Sequence, residues 1–228
     1  MSQPKRPIKS LADLINLATV QRFLWKGRMV WWRGEPATFD TALVPAMLRG
    51  ARGVRDETNM LSVFRLQAVS RSRDLPDQRD LIAWLFLMQH QGLPTRLLDW
   101  TENALVAAFH AIASNPDEAA LIWALSPTAL NAAAGQNDRI LLGNHREVQR
   151  ILNVAFNGKG DSDKVLALQP PESDLRALLQ SGRCTIHGAT DRQSGEANTD
   201  GRQLGANQAL GSRGNFIESL TPIPRRLR

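Results

Sequence analysis

A single cysteine, Cys184, stands among 228 residues, so no internal disulfide can form and a reducing, cytoplasmic setting is expected. No run of about 18 apolar residues occurs, which excludes a transmembrane helix. The longest apolar stretch, LIAWLFLM at 81–88, suits a buried helix instead. The N-terminal MSQPKRPIKS is basic but lacks the apolar core of a signal peptide. HExxH, CxxC, GxSxG, Walker A and GxGxxG patterns are all missing, so zinc hydrolase, serine hydrolase and P-loop chemistry have no support, and no metal site is expected. No basic run is longer than the pair Arg225-Arg226, although the formal charge is +6 from 28 basic and 22 acidic side chains. That dispersed charge is compatible with a small anionic ligand but does not mark a nucleic-acid binder. Trp31, Trp84 and Trp123 fall in segments that read as core, which removes them as stacking platforms for bases.

What is present is enough for one mixed domain: 43% of residues are hydrophobic. Ser10 and Asp13 have capping spacing before an apolar run, which predicts a helix over 11–24 ended by Gly27. RMVWW at 28–32 is aromatic and β-branched and predicts a strand, closed by Gly34 and Pro36. Residues 57–71 read as helix. Asp77 is the expected cap of a central buried helix over 78–90, stopped by Gly92 and Pro94. A tight loop then leads to Thr101 as the cap of a helix over 102–113, with Leu105, Ala108, Phe109 and Ile112 as its core face. ALIWAL at 120–125 suits an interior strand, 144–154 a helix, VLAL at 165–168 a strand, 173–180 a helix and 182–188 a strand. Without a βαβ rhythm the class is α+β, a single domain with a central sheet and packed helices. From Ala189 to Arg228 the chain is rich in Gly, Asn, Gln and Arg and has no periodicity, so this tail is expected to be disordered or divergent.

Two segments concentrate polar groups. Arg33 ends an aromatic strand and precedes Gly34, where backbone can approach closely. Its planar fork suits a carboxylate or phosphate. It either bridges to an internal acid such as Asp99 or binds an anion. In the second segment Gln89, His90, Gln91, Thr95, Arg96, Asp99 and Thr101 surround apolar Leu93, Leu97 and Leu98. Polar side chains between apolar helices must bond to one another or to a ligand. The start of the following helix also offers free N–H groups. On the strand at 182–188, Cys184 shares a face with Ile186 and reads as core, so Cys184 and His187 form no local dyad. Arg183, Thr185 and His187 share the other face, which either lines the site or meets solvent. His110 reads as a core or boundary histidine.

Three blocks carry a resemblance. Trp32-Arg33-Gly34, followed by Leu43, Pro45 and Arg49, resembles the aromatic-Arg-Gly signature of FRG domains. Gln89-His90-Gln91-Gly92-Leu93-Pro94-Thr95-Arg96-Leu97-Leu98-Asp99-Trp100-Thr101 is similar to that family's most specific motif. Ala167, Pro170, Arg176 and Gln180 to Gly188 resemble a third block, with Cys184 where the family generally has Phe. The resemblance spans residues 10–188; the segment 189–228 departs from the family's acidic, leucine-rich closing segment. It implies a domain of largely uncharacterised activity with a distant likeness to ADP-ribosyltransferases. That likeness implies an NAD-like nucleotide as ligand, with Arg33 and Arg96 on its phosphates and Asp99 or Gln180 as the catalytic group near the ribose. Gly34, Gln89, His90, Thr95, Thr101 and His187 would complete the binding surface. The chain has no tyrosine, which excludes the His-Tyr-Glu type, and no Glu-x-Glu or Gln-x-Glu pair. An oxocarbenium-like transition state is normally steadied by a carboxylate, and neutral Gln180 would supply less stabilisation than Asp99. The rival reading is a non-catalytic binding module whose polar cluster is scaffolding.

Overall fold

The computed structural model describes residues 8–36, 42–49, 54–71, 74–113, 120–158, 162–170, 182–188 and 217–223. Six strands form one antiparallel sheet: β1 (Trp31–Pro36), β2 (Leu97–Thr101), β3 (Ala120–Leu125), β4 (Val165–Leu168), β5 (Gly182–His187) and β6 (Ile217–Ile223), in the order β4-β5-β2-β1-β3-β6. The helices are α1 (Leu11–Leu24), α2 (Val54–Val69), α3 (Leu81–His90), α4 (Ala104–Ala113), α5 (Pro127–Ala133) and α6 (Arg146–Asn157). The α+β expectation therefore holds.

Alternation along the strands divides the core. Leu97, Cys184, Ile186, Leu166 and Leu168 pack with Leu85, Met88, Ile151 and Leu152 under α3 and α6. Further along, Trp32, Ile122 and Ala124 meet Leu14 of α1 and the alanines of α4. The opposite parity, Trp31, Leu98, Trp100, Leu125, Val165 and Ala167, packs against Leu130 of α5. Asn131 fastens α5 to β4, with its Oδ1 accepting from Ala167 N and its Nδ2 donating to Ala167 O, both at 2.8 Å.

Local signals placed several boundaries. Ser10 Oγ accepts from Asp13 N and caps α1, and Gly27 follows with φ +72°. Elsewhere the structure corrects the sequence reading. Asp80, not Asp77, caps α3. β1 starts at Trp31, not Arg28, and runs through Gly34 before ending at Pro36. The expected loop before Thr101 is strand β2, whose pattern of two buried, one exposed and two buried residues fits a sheet interior. Thr101 ends that strand; its Oγ1 accepts from Asn103 N, and Asn103 Oδ1 in turn accepts from Leu105 N at the start of α4.

The core face of α4 also differs from the expected one. Ala104, Ala107, Ala108 and Ala111 are buried, whereas Leu105 and Phe109 are 43% and 63% exposed. The cause lies in β1. A Cβ on Gly34 would fall 1.9 Å from the Ala107 carbonyl oxygen and 2.7 Å from the Ala111 Cβ. Helix and strand approach so closely that only small side chains fit between them. His110, expected at the core or its boundary, is exposed. At the other end of the chain, the segment read as a tail contributes β6, which pairs with β3 from Ile217↔Leu125 to Ile223↔Ala120. The expected helix at 173–180, with Gln180, lies outside the described residues.

Candidate functional site

β1 and β2 pair only at Trp32↔Thr101. Next to that pair, Arg33 reaches across from β1 and its Nη1 donates to the Asp99 carbonyl at 2.7 Å. Its Nε bonds Glu35 Oε1 at 2.8 Å. Residues 33 and 35 share a strand face, so the partner of Arg33 is the carboxylate two positions on, not that of Asp99. Glu35 is a buried hub. Its Oε2 accepts from Leu43 N at 3.2 Å, and Arg49 Nη2 stands 3.8 Å from Oε1. Leu43 has φ +60°, a conformation costly for a side-chain-bearing residue, and the Glu35 bond helps hold that turn. Arg49 donates from Nε to the Val44 carbonyl, and burial pulls its pKa down while Glu35 opposes the shift.

The second polar segment folds into a chain of bonds. Leu97 N donates to Thr95 Oγ1, Thr95 Oγ1 donates to Gln89 Oε1, and Gln89 Nε2 donates to Asp99 Oδ1. The end of α3 is thus tied to β2 through the side chains of its own connecting loop. Asp99 is exposed on the sheet and Gln89 is half-buried.

Arg96 takes a different place. It is 1% exposed and lies against Glu57 of α2, which is 0% exposed. Nε and Nη2 of Arg96 bond Glu57 Oε2 at 2.8 and 2.6 Å, its backbone N–H donates to Glu57 Oε1, and Nη1 donates to the His187 carbonyl. A charge buried to this degree is tolerated because every side of the pair is bonded. His187 N donates back to Arg96 O, which joins the loop before β2 to the end of β5.

Thr185 and His187 are fully buried, which corrects the expected choice between a site lining and a solvated face. Trp100 Nε1 donates to Thr185 Oγ1 at 3.1 Å, and Thr185 Oγ1 lies 3.0 Å from His187 Nε2. His187 Nδ1 is buried with no hydrogen-bond partner. Burial, followed by the positive charges of Arg33 and Arg96, pulls the His187 pKa down to about 3, so the ring is neutral at neutral pH. Burial and the Asp99 charge push the Cys184 thiol well up, which removes it as a nucleophile.

Of the residues singled out in the sequence, Arg33, Gln89, Thr95 and Asp99 are joined by hydrogen bonds. Arg96 and His187 meet in the interior. Thr101 is buried at the far end of β2, His90 is exposed at the end of α3, and Gly34 serves the contact with α4 rather than a ligand. Two carboxylates were missed. Glu35 was legible from strand periodicity, two residues after Arg33; Glu57, 39 residues before Arg96, has no local signal. Among the described residues no group of three or more His, Cys, Asp or Glu is placed to hold a metal ion, and no helix is long and apolar enough to cross a membrane.

The family model of the FRG domain matches residues 28–120, from just before β1 to the start of β3. Arg33, Gly34, Glu35, Glu57, Gln89, Arg96 and Asp99 all lie inside that match. No curated protein and no solved structure matches the chain.

Proposed function

We propose that the FRG domain carried by residues 28–120 is a non-catalytic binding module whose signature polar residues are internal scaffolding. One observation carries this reading: the guanidinium groups of Arg33 and Arg96 are already bonded to carboxylates, Glu35 and Glu57, and to backbone carbonyls. For Arg96 all three guanidinium nitrogens are bonded and the side chain is only 1% exposed. A ligand anion there would have to displace Glu57 from a dry interior and leave its charge unpaired, at a cost of several kcal/mol.

A second reading, binding of an NAD-like nucleotide with ADP-ribosyltransferase-like chemistry, is favoured by the exposure pattern near Arg33. That side chain is 20% exposed and Asp99 stands exposed beside it. On this reading Arg33 meets phosphate, Gln89 and His90 line the approach, and Asp99 lies near the ribose; Gln180, the other expected catalytic group, lies outside the described residues.

Calorimetric titration with NAD, ADP-ribose and ATP separates the two. The scaffold reading expects no binding heat from any of them and a loss of stability in Arg33→Ala. Nucleotide binding by the wild type that disappears in a folded Arg33→Ala would overturn it.

A further inference from the structure

Outside the polar segment, a groove of about 1390 Å³ lies between α1, α4 and the start of β1. None of Arg33, Gln89, Thr95, Arg96 or Asp99 lines it. Its floor is apolar and buried: Leu14, Val30, Trp32 and Ala104. Its walls are apolar and exposed: Ile15 at 51%, Phe23 at 82%, Met29 at 43% and Leu105 at 43%. The groove is a consequence of the Gly34 contact. Because α4 sits on the sheet through alanines, its larger side chains are left on the outside, and α1 buries only Leu14 and Gln21.

Contiguous exposed apolar walls of this kind mark an interaction surface. The volume exceeds the roughly 300–1,000 Å³ of ordinary small-molecule pockets. A trough beside a 14-residue helix, about 21 Å long at 1.5 Å per residue, matches three to four turns of a second helix. Charge selects the occupant. Arg22 and Lys26 line the end of the groove near the α1 C-terminus, and neither has a carboxylate partner among the described residues. Glu102, the acidic lining residue, is already paired with Arg183 at 2.8 Å. A second copy would bring the same two cations to the groove, and a flat lipid surface would not fill a concave one.

We propose that this groove receives an amphipathic helix of a partner protein, apolar along one face and acidic at the end that meets Arg22 and Lys26. In naming a partner the proposal rests on the interaction-module reading, but the two fail separately. Nucleotide binding at Arg33 would sink the scaffold reading and leave the groove's behaviour unchanged.

The test is selection of a displayed library of 16-residue helical peptides on the full chain, followed by fluorescence polarisation of the enriched peptides. Enriched sequences should carry apolar residues at helical spacing and Asp or Glu at one end. Their affinity should fall at least about ten-fold in Phe23→Ser and in Arg22→Glu/Lys26→Glu, and should weaken with added salt. Phe23, Arg22 and Lys26 are exposed, so these variants should keep the wild-type circular dichroism and melting temperature. Enrichment of no acidic amphipathic peptide, or equal binding by the charge-reversed variant, would overturn the proposal. So would a dimer in sedimentation that Phe23→Ser dissociates, or pelleting with phosphatidylglycerol vesicles that Phe23→Ser abolishes.

Discussion

Arg96 and Arg33 each bond a glutamate and a backbone carbonyl, yet their surroundings differ. The Arg96–Glu57 pair is sealed between α2, β2 and β5, at 1% and 0% exposure. The Arg33–Glu35 pair lies where β1 and β2 part, and its arginine reaches water. A sealed pair has no substitute for a lost partner, because water cannot enter to solvate the charge left behind. A pair at a seam can be rehydrated. The same two residue types therefore make a rigid pin in one place and an adjustable contact in the other.

The largest effect should come from breaking the sealed pair. Glu57→Gln leaves Arg96 as an unneutralised buried charge and should cost about 3–5 kcal/mol in urea unfolding. A replacement of both residues by apolar ones of similar volume should recover much of that loss. Gly34→Ala should follow, at roughly 3 kcal/mol, because its Cβ meets the Ala107 backbone oxygen rather than a movable side chain. A smaller loss should rank this close approach below the sealed pair as an organiser of the fold.

His187, under the field of both arginines, sharpens the comparison through pH. Its folded pKa, about 3, lies below the unfolded value of 6.5. The unfolded state then binds more protons in that interval, so the stability is fully present above pH 6.5 and is lost as pH falls toward 3. Between pH 6.5 and 5, before carboxylates titrate, the loss should reach roughly 2 kcal/mol. Thermal melts should show it in the wild type, and His187→Gln should flatten the slope. Glu35→Gln should cost only about 1–2 kcal/mol, since Arg33 and Arg49 can both reach solvent. Equal losses for Glu35→Gln and Glu57→Gln would erase the distinction drawn above. Asp99→Asn, at an exposed end of the Gln89 chain, should change stability by less than about 0.5 kcal/mol.

Which parts of this were legible beforehand follows from the range of the forces involved. Ser10, Asp13 and Gly27 act within one turn, and α1 was read from them. Apolar runs at 120–125 and 165–168 gave β3 and β4. LLDWT did not announce β2, because Asp99 interrupts a run of only five residues and Thr101 resembles a cap. Leu105 and Phe109 were assigned to the core by hydropathy, but the spacing between α4 and β1 is set by Gly34, far away in sequence. Gln89, Thr95 and Asp99 were recognised as part of one dense polar segment and do share bonds; Arg33 and Arg96 were read as either internally bonded or facing a ligand. Their partners Glu35 and Glu57 decide whether the arginines are available, and of these Glu57 is chosen by tertiary folding alone.

The strand at 217–223 has a consequence for how the chain can be shortened. It covers the outer flank of β3, whose sequence ALIWAL is uncharged and lacks proline. A product cut at Gly188 would present that flank with its row of amide and carbonyl groups unsatisfied. Such a strip is a template for docking the same strip on another molecule, so the trimmed protein should clump where the full chain stays dispersed. The stretch that looks most expendable by composition is, on this view, the stopper that keeps neighbouring molecules from adding themselves to the sheet.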